Sequence, residues 1–181
     1  MDSASTTRRP SIVVVMGVSG CGKSLVGAAL AKAMGAAFAE GDSYHPAANI
    51  ARMSSGLALR DEDRWGWLDA IADEIAEADR NGRALVVTCS ALKRAYRDRL
   101  RLASGRISFV YLDVGRDTAA ARVAGRKGHF MPASLIDSQF AALEPPTPDE
   151  KAIAVDASRD PGELVGEVLS ALAGPLPASH T

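Results

Sequence analysis

Residues 17–24 read Gly17-Val18-Ser19-Gly20-Cys21-Gly22-Lys23-Ser24, between the apolar run Ile12–Met16 and the stretch LVGAALAKAM at 25–34. The spacing is G-x-x-x-x-G-K-S. Glycines at 17, 20 and 22 let the backbone wrap around an anion and turn its amide groups inward at the start of a helix. Lys23 then reaches the β- and γ-phosphates of a nucleotide, and the Ser24 hydroxyl ligates magnesium. The context matters as much as the letters, because the β-branched run before the motif suits a buried parallel strand and the run after it suits a helix. The expected contacts of the loop with a nucleotide are Gly17, Ser19, Gly20, Cys21, Gly22, Lys23, Ser24 and Leu25, with Mg2+ beside its phosphates. Cys21 reads as a small loop residue rather than a redox centre.

Outward from this motif the same alternation recurs. After the helix over Lys23–Met34, closed by Gly35, come a short strand in AAFAEGD, a helix over about 61–81, and a strand in ALVVTCS. YRDRLRLAS, ISFVYLDV, DTAAARVAGR, AIAVDAS and GELVGEVLSALAG continue as helix, strand, helix, strand and helix. Five strands alternating with helices predict an α/β three-layer sandwich, with a five-stranded parallel sheet and helices on both faces. One domain is expected over 11–174, with poorly ordered tails at 1–10 and 175–181.

The chain has 181 residues, 47% hydrophobic and 24% charged, which is enough for one real core. Its 21 basic and 22 acidic residues give a net charge of −1, so no strong field argues for nucleic acid or an anionic membrane. A small-molecule partner is the expectation. Cys21 and Cys89 lie far apart without metal-ligand spacing, which fits a reduced, cytoplasmic setting. The basic start TTRRPSIVVVM has too short an apolar run for a secretory signal.

A phosphate loop alone does not separate kinases from other nucleotide-dependent proteins. The run VVTCSA ends without the carboxylate expected of a magnesium-holding strand end, and no N-K-x-D guanine motif is present. Small phosphoryl-transfer kinases remain. At the end of the second strand EGDSYHP carries Asp42 and His45 to the carboxyl edge of the sheet, where open α/β sheets bind ligands. Asp42 there can orient or deprotonate an acceptor hydroxyl and help hold hydrated magnesium. It can equally be a turn residue. In ARVAGRKGHF, Arg122 and Arg126 lie four apart with Gly125 and Gly128 as hinges, which reads as a mobile lid over 122–134. Arg126 is the leading candidate to stabilise charge on the transferred phosphoryl group, with Arg122 on the nucleotide.

The stretches MGVSGCGKS, EGDSYHPAANIARMSSGLALRDEDRWGWL, CSALKRAYRDRLR, FVYLD and RKGHFMPASLIDSQFAALEPP together resemble the gluconokinase family, in order and spacing, from about Ile12 to Val155. Glu40, Arg52 and Gly66 depart from residues frequent in that family, without removing a charge type. The resemblance implies a fold like that of shikimate and adenylate kinases, and transfer of the γ-phosphoryl of ATP to the 6-hydroxyl of D-gluconate. A polyol with one carboxylate needs a basic group and several polar ones. Arg52, Lys93 and Arg97 are the expected charge on the acceptor side, joined by Asp42, His45 and His129, with 43–68 as the acceptor segment. Asp63 and Arg64 read either as an internal ion pair or as substrate contacts. A kinase of shikimate or of a nucleoside monophosphate, and a catalytically weak nucleotide-binding regulator, stay as alternatives. Oligomeric state, including a homodimer, is left open.

Overall fold

The computed structural model describes residues 12–125 and 133–174. The tails at 1–10 and 175–181, together with Arg126 and His129 of the expected lid, lie outside the described residues. The strands are β1 (Ile12–Met16), β2 (Ala37–Ala39), β3 (Leu85–Thr88), β4 (Ile107–Asp113) and β5 (Ile153–Asp156). They form one sheet in the order β2-β3-β1-β4-β5, every pairing parallel. Val14 of β1 sits in register between Val87 of β3 and Phe109 of β4.

The helices are α1 (Lys23–Met34), α2 (Ala47–Ser54), α3 (Asp61–Arg80), α4 (Arg94–Arg101), α5 (Arg116–Ala124), α6 (Ala133–Ala142) and α7 (Pro161–Ala173). Side-chain alternation along β1 divides the core into two layers. Val13 and Val15 pack with Val26 and Leu30 of α1 and with Leu164 and Val168 of α7. Ile12, Val14 and Met16 pack with Trp67, Leu68, Ile71 and Ile75 of α3 and with Tyr96 and Leu100 of α4. Helices on both faces leave β1 wholly buried, which is why its sequence is continuously apolar. The expected strands and sandwich are all present. Among the described residues, no helix is long and apolar enough to cross a membrane.

The pattern reading did not anticipate α2 or α6. Both are short, at 8 and 10 residues; Ile50 and Met53 of α2 and Leu135 of α6 line a cavity, while Phe140 and Ala142 of α6 pack against the core layer of Val13 and Val15. The helix carrying Arg122 stops at Ala124 with Gly125 as its cap, so its helical face does not run on to 126.

The seam between β2 and β3 sets the position of everything after β2. Gly41 opens a one-turn 3-10 helix over Gly41–Tyr44, and its amide donates to Thr88 Oγ1 at 3.0 Å. The Thr88 hydroxyl in turn donates to the Glu40 carboxylate, and Trp67 Nε1 donates to the Gly41 carbonyl at 2.8 Å. A Cβ on residue 41 would lie 1.8 Å from the Thr88 carbonyl oxygen. That clash is with backbone, which cannot turn aside. Gly41→Ala is therefore expected to destabilise the fold by about 1–3 kcal/mol or more, read as a drop of several degrees in Tm. It should also displace Asp42, so a variant with wild-type Tm and activity would contradict this account.

Candidate functional site

The phosphate loop joins the end of β1 to α1. Gly22 caps α1 at φ 97°, with no side chain closing the helix start, so the first amides of α1 face outward. A Cβ built at Gly22 would meet no heavy atom within 4 Å, which marks an open anion cradle. At Gly20 the constraint is reversed: φ is 83° and a Cβ would lie 2.4 Å from the Ala119 carbonyl. The Lys23 ammonium lies 3.0 Å from both the Gly17 and Val18 carbonyl oxygens, folded over the first half of the loop. Ser24 and Leu25 are exposed, and Cys21 is buried beneath Gly17 as loop packing.

Two hollows flank this loop. The larger, about 570 Å³, opens at the carboxyl edge of the sheet and brings together Ser19, Lys23, Asp42, His45, Arg64 and Lys93. The smaller, about 390 Å³, lies on the other side, where Gly20, Gly22, Ser24, Leu25 and Arg122 meet Ala157, Arg159 and Pro161 from the turn after β5. Arg122 approaches the Gly20 carbonyl at 3.5 Å. The loop between β1 and α1 thus borders both hollows, with Lys23 lining one and Ser24 the other.

The electrostatics of the larger hollow are asymmetric. Asp61 accepts from Lys93 Nζ at 2.8 and 2.9 Å and from the Tyr96 hydroxyl at 2.5 Å. These bonds hold its carboxyl below the usual carboxylate range, and burial together with the bond to Asp61 pushes the Tyr96 hydroxyl above its own. Arg64 is half-buried, lies 5.7 Å above the Tyr96 ring, and makes no ion pair among the described residues. Asp63 instead pairs with Arg60 and Arg52, so the ambiguity between Asp63 and Arg64 resolves by helix phase.

His45 stacks on Trp67 at 4.2 Å between ring centres. Burial lowers its pKa to about 4, against an opposing pull from Asp42. Asn49 Nδ2 donates to the Asp63 carbonyl at 2.7 Å and stands 3.3 Å from His45 Nδ1. The carbonyl fixes which end of the Asn49 amide is the donor, so Nδ1 accepts and the His45 proton sits on Nε2. At neutral pH this imidazole is a hydrogen-bond donor, not a cation.

Arg97, expected on the acceptor, does not line the hollow. It is 0% exposed and forks onto Glu150 at 2.6 and 2.7 Å. Its remaining nitrogen donates to the Ala91 and Leu92 carbonyls. One helical turn past Lys93, the side chain swings under the β3–α4 loop, where it holds Ala91 at φ 42°. Arg52 is also outside the lining, donating to the Ala58 carbonyl at 2.9 Å. Gln139, Ser138 and Leu135 of α6, by contrast, do line it, although no spacing argument singled them out. The signal was in the quoted stretch ASLIDSQFAALEPP, but its helix phase only acquires meaning once α6 is docked. Ser19 has its polar groups engaged by Gln139: its amide donates to Oε1 at 2.7 Å and Gln139 Nε2 donates to its hydroxyl at 3.0 Å.

Comparison with known proteins shows what the chain as a whole is similar to. A family model described as "AAA domain" matches residues 12–146. A gluconokinase of Gluconobacter oxydans is 45% identical over 161 residues, covering 89% of this chain and 90% of that protein. The thermosensitive gluconokinase of Escherichia coli is 44% identical, covering 81% and 79%. The crystal structure of a gluconokinase from Sinorhizobium meliloti superposes with a TM-score of 0.83 at 47% identity, covering 92% and 93%. A shikimate kinase from Aquifex aeolicus, at 18% identity and a TM-score of 0.57, shares the fold.

Arg97→Ala removes the two-point partner of buried Glu150 and leaves it only Arg101, at 2.9 Å, so it should cost about 2–3 kcal/mol by denaturant unfolding, less than a fully orphaned buried charge. The pair also holds the Glu150 pKa down to about 2. Its folded value is depressed, so its contribution is full above the unfolded value near 4.5 and is lost as pH falls towards 2. His45 acts in a higher window. Between pH 6.5 and about 4 the unfolded chain takes up a proton that the folded chain does not. Tm should therefore decline through that window, and His45→Gln should flatten the decline.

Proposed function

The chain belongs to the gluconokinase family, and from that membership we propose that its two hollows carry ATP-dependent phosphorylation of D-gluconate at the 6-hydroxyl. The products are 6-phospho-D-gluconate and ADP. The observation that supports this reading is the larger hollow itself, where the phosphate-loop lysine and Asp42 share one space with Arg64 and Lys93. A polyol with a single carboxylate fits that arrangement. Arg64, with no internal ion pair among the described residues, is assigned to the carboxylate, because a free guanidinium recognises it bidentately. Lys93, Asp61 and the neutral His45 supply donors and acceptors for the hydroxyls. Asp42 is assigned to the reacting hydroxyl, which it orients or deprotonates.

The smaller hollow suits the nucleotide, with Arg122 at the phosphate loop and the turn after β5 at its far side. Magnesium fits the donors available. Ser24 and Asp42 are exposed, and among the described residues no group of three or more His, Cys, Asp or Glu converges as a protein cage. Mg2+ keeps several waters and takes further ligands from phosphates, so two protein oxygens suffice. When bound, the ion neutralises charge on the β- and γ-phosphates. The Lys23 ammonium acts on the same oxygens and exchanges the Gly17 and Val18 carbonyls for them. Arg126 is assigned by sequence to the transferred phosphoryl group. The reaction is assigned to the cytoplasm.

A coupled assay with ATP and gluconate, shikimate or nucleoside monophosphates tests the acceptor. Only gluconate is expected to give turnover, and preference for another acceptor would overturn the reading. Lys23→Ala should abolish transfer while the protein stays folded. Asp42→Asn should lower kcat by roughly 10²–10⁴ if the carboxylate handles the proton, with ATP affinity nearly unchanged. Arg64→Ala should raise the KM for gluconate by about tenfold or more and leave the KM for ATP within a few fold. An equal effect on both substrates would move Arg64 away from the acceptor.

A further inference from the structure

The Gln139 carboxamide makes a reciprocal pair of hydrogen bonds to a residue 120 positions earlier in the chain. Its oxygen accepts the Ser19 amide at 2.7 Å and its nitrogen donates to the Ser19 hydroxyl at 3.0 Å. Both partners are half-buried and both line the larger hollow. Ser19 follows Gly17 and Val18, whose carbonyls hold the Lys23 ammonium. Since a phosphate-loop lysine reaches the β- and γ-phosphates, this half of the loop is its terminal-phosphate end. Gln139 therefore grips the phosphate loop where the transferred group will sit, from a helix whose Leu135 and Ser138 also line the hollow.

We propose that Gln139 is a positioning residue for the transfer step, clamping Ser19 so that the terminal-phosphate end of the loop and the acceptor wall formed by α6 keep a fixed separation. The proposal rests on the kinase reading above. A loop amide on a glycine-rich turn has many accessible conformations, and a two-point bond to a helix selects one of them. Transfer needs that selection more than nucleotide binding does, because misplacement of reacting groups by about 1 Å can cost 10²-fold in rate. The amides from Gly20 onward and the start of α1 are the part of the loop suited to the α- and β-phosphates, and the Gln139 hydrogen bonds go to Ser19 instead. Loss of the clamp should thus separate ATP turnover from ADP affinity.

The test compares Gln139→Leu, Gln139→Glu and Ser19→Ala in the full chain. Each is measured for kcat and KM with ATP and gluconate, for ADP affinity by calorimetry, and for Tm. Gln139→Leu should lower kcat by about tenfold to a hundredfold, with ADP Kd within about threefold and Tm within a few degrees. Ser19→Ala keeps the shorter bond to the amide and should lose only a few fold. The double variant should be no worse than Gln139→Leu alone, since both substitutions act through one contact. Gln139→Glu keeps the length and can still bond Ser19, but sets a negative charge beside the terminal phosphate. It should raise the KM for ATP while leaving ADP Kd nearly unchanged, which remains a readout even if the leucine variant folds poorly.

Unchanged kcat in folded Gln139→Leu would overturn the proposal. So would parallel losses in kcat, ADP affinity and Tm, or a Gln139→Glu protein that loses ATP and ADP binding equally, because those patterns describe a packing residue. Absence of gluconate turnover in the wild-type protein would instead sink the acceptor assignment, a distinct failure.

Discussion

The approach of Gly41 to the Thr88 carbonyl is the constraint on which the site depends. Backbone meets backbone at a separation that leaves no room for a Cβ, and three hydrogen bonds meet there: the Gly41 amide donates to Thr88 Oγ1, the Thr88 hydroxyl to Glu40, and Trp67 Nε1 to the Gly41 carbonyl. Because the contact involves no flexible atoms, the chain leaving β2 has one direction available. Asp42 emerges beside the phosphate loop, and His45 is carried onto the Trp67 ring. Trp67 is buried in the α3 layer, so the His45 wall of the hollow is tied directly to the core. A close backbone approach that only glycine permits thereby sets where Asp42 and His45 stand.

Charge in the hollow is arranged by the same economy of contacts. Asp61 neutralises Lys93, Asp63 is taken by Arg52 and Arg60, and Glu150 satisfies Arg97. Among the described residues, what these pairs leave over in the hollow is a guanidinium on Arg64, an ammonium on Lys23 and a carboxylate on Asp42, all lining one space. A ligand with a carboxylate at one end and a hydroxyl to be phosphorylated at the other matches that remainder. The buried Arg97–Glu150 pair serves the hollow indirectly, by supporting the carbonyls of the loop that presents Ser90 and Lys93. Breaking it would reshape the wall carrying Ser90 and Lys93, although Arg97 itself is not part of the lining.

Some of the site was legible before any coordinates. The phosphate loop is local: its glycines, Lys23 and Ser24 act within eight residues, so spacing alone specifies them. Asp42 and His45 follow from topology, since the end of a strand in a parallel sheet must face the ligand edge. Arg97 was misread for a physical reason. A basic residue in a helix near the site points where helix phase and its strongest partner send it, and Glu150 lies 53 positions away in sequence. Gln139 was passed over because a neutral amide carries no charge signal, and its partner Ser19 is 120 positions distant.

The amino-acid sequence by itself determined the alternation of strands and helices, the layered α/β class, the phosphate loop and the family resemblance, because each is written in short-range periodicity or contiguous motifs. Only the tertiary structure decided which cations are spent on internal pairs and which stay open, which tautomer His45 holds, and that α6 grips the phosphate loop through Gln139. Those outcomes depend on long-range contacts in which burial and hydrogen-bond geometry select one partner among several of the same chemical type.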